Sequence, residues 1–313
     1  MLSRPAILLT ATLSLLLTAT AVLPCSPTAP PLSSARLVAD VESVAPGEPF
    51  YAGFWIELAP GWHTYWRNPG DSGFAPSVLL HLPDGGKAGD ILWPAPAVFT
   101  VPPLVNYGYA DAVLLPIRIE LPPNAATSGL FRIEADLAWL ICREICIPFE
   151  AKLVLSLPVQ AGRAEPAPAW TNRFARAIQS VPQHDPSWSF SAEAQAGRLA
   201  IRLTLPANVP ETDLAHAILL AADPGFVTPT ATTVWRKDNT DNTWIAELTL
   251  VNASTPPSRF AGVLLIHPEI PQSLIASQPV RTDAVEKPRG SPANHRVLAF
   301  EVPVMVHPKS HTP

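Results

Sequence analysis

Cys142 and Cys146 are the residues of this chain whose type and spacing best suit chemistry. They stand with three residues between them, directly after an alternating apolar run that ends at Leu140. Another alternating run begins a few residues later, so we predict a short hairpin with the two cysteines facing each other across its strands. The separation of their Cβ atoms then suits a disulfide, which a partner's thiolate can attack.

Thiol exchange and a structural disulfide are both open for this pair on the residues alone. As a structural link, the bond would close a five-residue loop and remove only roughly 2 kcal/mol of unfolded-chain entropy. As an exchange site, it would lie on an accessible surface loop. Metal binding is the weakest option, because two cysteines lack the remaining ligands. Arg143 would lower the pKa of a neighbouring thiol and Glu144 would raise it, so the flanking charges favour no direction.

The chain begins with the features of a secretory signal over residues 1–21, where an apolar run is followed by Ala19-Thr20-Ala21. That run is shorter than the roughly 20 residues that cross a bilayer, so we predict no transmembrane span. Cys25, in a proline-rich leader over residues 22–34, is an alternative lipid-attachment site, although Pro24 before it fits poorly. In the oxidising compartment that export implies, a close cysteine pair forms a disulfide unless it is actively reduced.

The composition excludes several classes of function. Hydrophobic residues make up 48% of the chain and charged residues 15%, and the net charge of −5 is spread without blocks. Neither nucleic acid nor an anionic membrane surface is therefore an expected partner. The sequence also contains no nucleophile elbow, no glycine-rich phosphate loop and no paired metal-ligand motif. We predict no cofactor and no metal.

Alternating apolar residues predict the elements that must position the cysteines. Short alternating runs without helical patterns occur over residues 35–159 and again over 187–306, as in Phe50, Ala52 and Phe54, and turn-forming residues separate them. The 38 prolines also disfavour long helices. We therefore predict an all-β protein of two β-sandwich domains in tandem. Residues 160–186 form a linker with one short helix, and residues 307–313 form a tail.

An aromatic cluster contributes further candidate site residues. His63 stands among Trp62, Tyr65 and Trp66. A histidine beside a cysteine pair would be useful as a general base. We favour a structural interpretation, in which these side chains plug the end of the sandwich and their polar atoms bond to backbone.

Four segments resemble the periplasmic N-terminal region of DsbD-type and ScsB-type protein-disulfide reductases. They are GWHTYWRNPGDSG (61–73), WPAP (93–96), NYGYADAVLLPI (106–117) and WLICREICIP (139–148). Together they cover most of the first predicted domain. The second domain resembles the additional β-domain of ScsB-like members.

The resemblance implies an immunoglobulin-like domain that receives electrons from a membrane-embedded partner and passes them to oxidised periplasmic proteins. Cys146 would bond the target protein and Cys142 would resolve that bond. Asn106, Tyr107 and Tyr109 would match a cap that shields the sulfurs. The cysteines are closer in sequence than in the DsbD type, and Asn106 with Tyr107 replaces its capping phenylalanine. This chain lacks the transmembrane conduit and thioredoxin-like domain of the full-length reductases, so we expect a separate DsbD-like or CcdA-like electron donor.

The sequence thus favours a periplasmic thiol-disulfide exchange module that uses Cys142 and Cys146. The alternative is a binding module with a merely structural disulfide, whose partner would be a membrane redox protein, an apocytochrome or a copper-handling protein. The two hypotheses differ in whether the disulfide is labile.

Overall fold

The computed structural model describes residues 32–238, 242–266 and 296–306. The predicted signal segment, Cys25 and the predicted tail lie outside the described residues. Within those ranges, neither helix has the length and hydropathy of a membrane span. The prediction of an all-β fold with sandwich domains and a short linker helix is confirmed.

The first region, residues 33–158, contains ten strands. They are β1 (Ser33–Ala39), β2 (Pro49–Leu58), β3 (His63–Gly70), β4 (Ser77–His81), β5 (Lys87–Ile91), β6 (Ala97–Val101), β7 (Leu104–Ala110), β8 (Ala112–Glu120), β9 (Leu130–Cys142) and β10 (Cys146–Pro158).

Two antiparallel sheets form this first sandwich. One has the order β1-β2-β8-β5 and the other the order β10-β9-β3-β7-β6, with β4 also paired to β9. Alternation directs one face of each sheet inward, so Phe54 and Leu115 of the first sheet share a core with Ile133 and Leu137 of the second. The second sheet is the one that carries both cysteines.

The linker helix α1 (Thr171–Gln179) lies against the outer face of the first sheet. Phe174 is buried there against Val38 and Leu114. Gly53 permits this approach, because a Cβ added there would lie 3.1 Å from the Phe174 ring. The linker is therefore packed onto the first region.

In the described part of the second region, residues 187–238, 242–266 and 296–306, there are one 3₁₀ helix, Glu211–His216, and seven strands. The strands are β11 (Ser189–Gln195), β12 (Arg198–Thr204), β13 (Ile218–Ala221), β14 (Trp235–Lys237), β15 (Thr243–Thr249), β16 (Arg259–Ile266) and β17 (Arg296–Val306). Their order is β13-β16-β17-β11-β12-β15-β14. Strand β17 pairs antiparallel with β16 over residues 296–303 and then parallel with β11 over 304–306, so it joins two layers that enclose the core of this region.

The two regions share part of their hydrophobic core. In β13, Leu219 belongs to the core of the second region, whereas its neighbours Ile218 and Leu220 belong to the core cluster of the first. This division follows from the two-residue period of a strand. The edge formed by β13 and β16 is thus buried on both faces, a contact that alternation within each region does not predict.

Candidate functional site

The two cysteines are joined by a disulfide at the turn of the β9–β10 hairpin. Cys142 ends β9, Cys146 begins β10, and the two are direct cross-strand partners with their Cα atoms 4.2 Å apart. The predicted hairpin is therefore present. Its register continues without a bulge from this pair to the partners Leu130 and Pro158.

The two cysteines differ in exposure because their strands occupy different places in the sheet. Strand β9 has β10 on one side and β3 on the other, and His63 is paired with Cys142. Cys142 is therefore only 8% exposed. Cys146 lies on the edge strand β10 and is exposed. Of the two, Cys146 is the residue more accessible to a visiting thiolate.

The cysteine pair lies on the outer face of its sheet together with two aromatic side chains of β3. The pairing of Cys142 with His63 puts these residues on one face, and the period of two adds Tyr65. The alternate residues Ile141 and Trp66 belong to the core. The Tyr65 hydroxyl lies 3.4 Å from the Cys146 Sγ atom, at hydrogen-bond distance for sulfur.

His63 is buried beside the disulfide and stays uncharged at neutral pH. Its ring stacks on Phe99 of β6, with the centroids 4.5 Å apart, and its Nε2 atom has no hydrogen-bond partner among the described residues. Burial lowers the pKa of His63 to about 4. The expected bond from this ring to backbone is thus not seen at Nε2, and the ring offers no positive charge to a thiolate.

The other aromatic and charged candidates frame the hairpin. Trp62 is buried in the core, and the Arg143 guanidinium lies over its ring, with Cζ 5.5 Å from the centroid. Glu144 is exposed between the cysteines. Ile145, also between them, is 65% exposed, which leaves an apolar side chain next to the accessible Cys146.

The residues expected to form a cap lie in β7 and face opposite sides of the sheet. Gly108 pairs with Tyr65, so Asn106, two residues before it, shares the face of the cysteines. Tyr107 and Tyr109 belong to the core on the other face. Shielding of the sulfurs by these two rings stays a prediction that their placement does not favour.

The hydroxyl groups of both β7 tyrosines form hydrogen bonds with backbone atoms. The Tyr109 hydroxyl donates to the Pro94 carbonyl at 2.8 Å. The Tyr107 hydroxyl donates to the Thr230 carbonyl at 3.1 Å and accepts from the Thr230 N–H at 2.8 Å. Burial raises the pKa of Tyr107 to about 12. Tyr107 therefore links the first region to the second through its two hydrogen bonds with Thr230.

Sequence reasoning did not identify Phe99 as part of this site, and it included the segment Asp71–Gly73 only within the resembling stretch 61–73, without a role for it. Phe99 is brought to His63 by the β6–β7 hairpin, a contact between residues far apart in sequence. The Asp71–Gly73 segment lies on Tyr65, and its one sequence signal was a glycine, Gly73, that adopts φ +89°. Within the described ranges, no group of three or more His, Cys, Asp or Glu residues could hold a metal ion.

Comparison with known proteins gives one family match. Residues 32–158 match the family described as "Thiol:disulfide interchange protein DsbD, N-terminal". No curated protein matches the chain.

Among solved structures, the chain is similar to the N-terminal periplasmic domain of ScsB from Proteus mirabilis. The identity is 18%, the match covers 87% of this chain and 93% of that one, and the TM-score is 0.55. Coverage of this extent includes both regions, so the likeness in fold extends beyond the first sandwich. A protein of unknown function from Porphyromonas gingivalis W83 matches with 10% identity over 87% of this chain and 100% of that one, but its TM-score of 0.25 supports no inference.

Proposed function

We propose that the protein is a periplasmic thiol-disulfide exchange module, because its residues 32–158 match the DsbD N-terminal family. Its working groups are Cys142 and Cys146. The observation that carries the proposal is a disulfide at a hairpin turn with one buried and one exposed cysteine. In an exchange site, at least one of the two sulfur atoms must be accessible to the thiolate of a partner protein.

The reaction consists of two thiol-disulfide exchanges. The Cys146 thiolate of the reduced protein attacks a disulfide of the target, and one target sulfur leaves as a thiolate and takes a proton from water. The Cys142 thiolate then attacks Cys146 in the mixed disulfide and expels the second target sulfur. Two electrons pass to the target, and the Cys142–Cys146 disulfide forms again.

Reduction of the module runs in the opposite sense. A thiolate of a membrane-embedded donor attacks the exposed Cys146, and Cys142 leaves. A second donor thiolate then attacks the mixed disulfide, so the donor becomes oxidised and the module carries the dithiol. The target proteins are oxidised periplasmic proteins, and the donor is a separate reductase of the DsbD or CcdA type.

The structure offers a specific reason to rank exchange above the merely structural disulfide. The β9–β10 hairpin is held by an unbroken register from Cys142 and Cys146 to Leu130 and Pro158. A bond at its tip closes a short loop and adds little to that ladder. A reduction potential below about −300 mV would instead mark a disulfide that resists exchange.

The test is capture of a target disulfide by single-cysteine variants. In a Cys25→Ser background, Cys142→Ala leaves Cys146 as the single cysteine, and Cys146→Ala leaves Cys142. We expect the Cys146 protein to form a stable mixed disulfide with oxidised periplasmic proteins, detected as a reductant-sensitive adduct on gels. The buried Cys142 should capture far less. If neither variant forms an adduct, the exchange role is wrong.

A further inference from the structure

The Tyr65 hydroxyl is in contact with the exposed sulfur of the proposed exchange site. It lies 3.4 Å from the Cys146 Sγ atom, and the Tyr65 residue is 0% exposed. A sulfur in a disulfide is a weak acceptor, whereas a thiolate is a charged and much stronger one. Reduction of the disulfide therefore makes this contact more favourable.

Tyr65 is held in place by a short segment, Asp71–Gly73, which we call the strap. Gly73 lies directly against the ring, since a Cβ added there would be 2.2 Å from the Tyr65 Cζ atom. The close approach requires glycine, because any larger residue would displace the phenol. The strap covers the hydroxyl end of the ring and leaves the phenol little freedom to turn away from the sulfur.

The strap is itself anchored by β7. The Asn106 Oδ1 atom accepts hydrogen bonds from the Ser72 N–H and from the Ser72 hydroxyl, each at 3.1 Å. The Asp71 N–H donates to the Val105 carbonyl at 2.9 Å, and the Asp71 carboxylate accepts from the Val105 N–H at 2.7 Å. Asn106 is 2% exposed, so its amide is a buried and fixed partner. The strap position therefore depends on Asn106.

The protonation state of Tyr65 suits donation. Burial raises the pKa of Tyr65, and a side-chain hydrogen bond with Ser72 partly opposes this effect. The phenol therefore keeps its proton at neutral pH and can donate it to a negatively charged sulfur. His63, the other titratable neighbour on β3, is uncharged in the same range.

We propose that Tyr65 is a catalytic residue whose hydroxyl donates a hydrogen bond to the Cys146 thiolate, and that Asn106 is a positioning residue which acts through the strap. This inference rests on the proposed exchange function. The hydrogen bond favours the thiolate, which is the nucleophile toward a target disulfide. No proton is transferred from Tyr65, so the balance of the exchange steps is unchanged.

The experiment measures the pKa of the Cys146 thiol in the full chain. The background is Cys25→Ser with Cys142→Ala, so that Cys146 is the single cysteine, and the thiolate is followed by its ultraviolet absorbance and by its alkylation rate against pH. Tyr65→Phe keeps the ring and removes the donor. We expect it to raise the thiol pKa by about one unit. Arg143, Glu144 and Asp71 are exposed charges that remain in all variants, so their effect cancels.

Tyr109→Phe is the matched control. Its hydroxyl is also buried and hydrogen-bonded, but it belongs to the opposite face of the sheet. We expect this variant to leave the Cys146 pKa unchanged. If Tyr65→Phe behaves as the control does, Tyr65 does not act on the sulfur.

Asn106→Ala tests the positioning role through a double-mutant cycle. Alone it should raise the Cys146 pKa by a smaller amount, and in a Tyr65→Phe background it should have no further effect. An equal effect in both backgrounds would overturn the proposed route through Tyr65. All these measurements need no partner protein. A shift with Tyr65→Phe and no captured target would therefore contradict the exchange function and leave the Tyr65 contact intact.

Discussion

In the sequence, each cysteine stands at the end of an alternating apolar run, and nothing there distinguishes the two. The fold makes them differ in exposure. Cys142 ends a strand with neighbours on both sides, while Cys146 begins an edge strand. Exposure is thus set by strand order, which depends on contacts distant in sequence. The assignment of Cys146 to the target and Cys142 to resolution, which came from the family resemblance alone, gains a physical reason from this asymmetry.

His63 should make the stability of the protein depend on pH in a defined window. Its pKa is about 4 in the folded protein and about 6.5 in an unfolded chain, because burial disfavours the charged ring. Between these values the unfolded state binds more protons, so folding stability falls as pH falls. The loss is up to about 3 kcal/mol by pH 4.

Replacement of His63 by Phe tests this prediction. Phenylalanine preserves an aromatic ring against Phe99 and has no ionising group. We expect His63→Phe to lose less stability than the wild type between pH 6.5 and 4, measured by chemical denaturation at fixed pH values. Trp139→Phe provides the control, since it changes a buried aromatic side chain that has no ionising group and should leave the slope of the pH profile unchanged. Parallel profiles for wild type and His63→Phe would show that His63 is not the cause.

At the scale of elements, the hairpin should survive loss of its disulfide. The unbroken ladder between β9 and β10 holds the turn, and the bond closes only a short loop. Replacing both cysteines with alanine should therefore lower the free energy of unfolding by no more than roughly 2 kcal/mol. Urea denaturation of the variant beside the oxidised and reduced wild type measures this. A loss of 4 kcal/mol or more would favour the structural interpretation of the bond.

Much of this architecture could be predicted from the sequence, because burial on one face of a strand leaves a period-two pattern. The alternating residues Phe50 to Leu58 became β2, and the residues around the cysteines became the β9–β10 hairpin. The strap could not be predicted in this way. It follows a register irregularity between Tyr65 and Gly70, after which β3 pairs with β7 again at Gly70 and Asn106. A local break in pairing of this kind has no periodic signal.

The cap illustrates the limit of reasoning from resemblance. Matching by position selected Asn106, Tyr107 and Tyr109 together, but neighbouring residues in a strand face opposite sides. Asn106 shares the face of Tyr65, whereas both tyrosines are core residues. To assign each β7 residue to a face of the sheet, one must know that Gly108 pairs with Tyr65. That pairing is a contact between strands, and the sequence of β7 alone does not give it. The ring stacked beside the site is Phe99, from the neighbouring strand β6.

At the scale of the whole molecule, the second region supports the sheet that carries the site. Ile218 and Leu220 of β13 pack into the core cluster of the first region. The buried Asn68 amide donates to the Ala221 carbonyl at 2.8 Å, and the Asn68 Oδ1 atom accepts from the Gly70 N–H at 3.1 Å. Asn68 thereby links Ala221 of the second region to Gly70, the residue that directly precedes the strap.

Leu219 and Leu220 allow this coupling to be tested with two adjacent residues. Both are 0% exposed, but Leu220 packs into the first region and Leu219 into the core of the second. Each change to alanine should cost about 2–5 kcal/mol, because it leaves a cavity in a packed core. Where the cavity lies should decide which strands open more often.

Hydrogen exchange of backbone amides distinguishes the two variants. Leu220→Ala should accelerate exchange in β3 and β7, since Leu220 belongs to the same core cluster as Trp66 of β3 and Tyr107 of β7, while Leu219→Ala should accelerate it mainly in β12 and β16. Equal acceleration of β3 and β7 by both variants would mean that the regions open as one unit. No acceleration of β3 and β7 by Leu220→Ala would mean that β13 does not support the site sheet. Tyr65 lies on β3. If both variants accelerate exchange in β3 and β7 equally, mutations in the second region should therefore also alter the reactivity of Cys146.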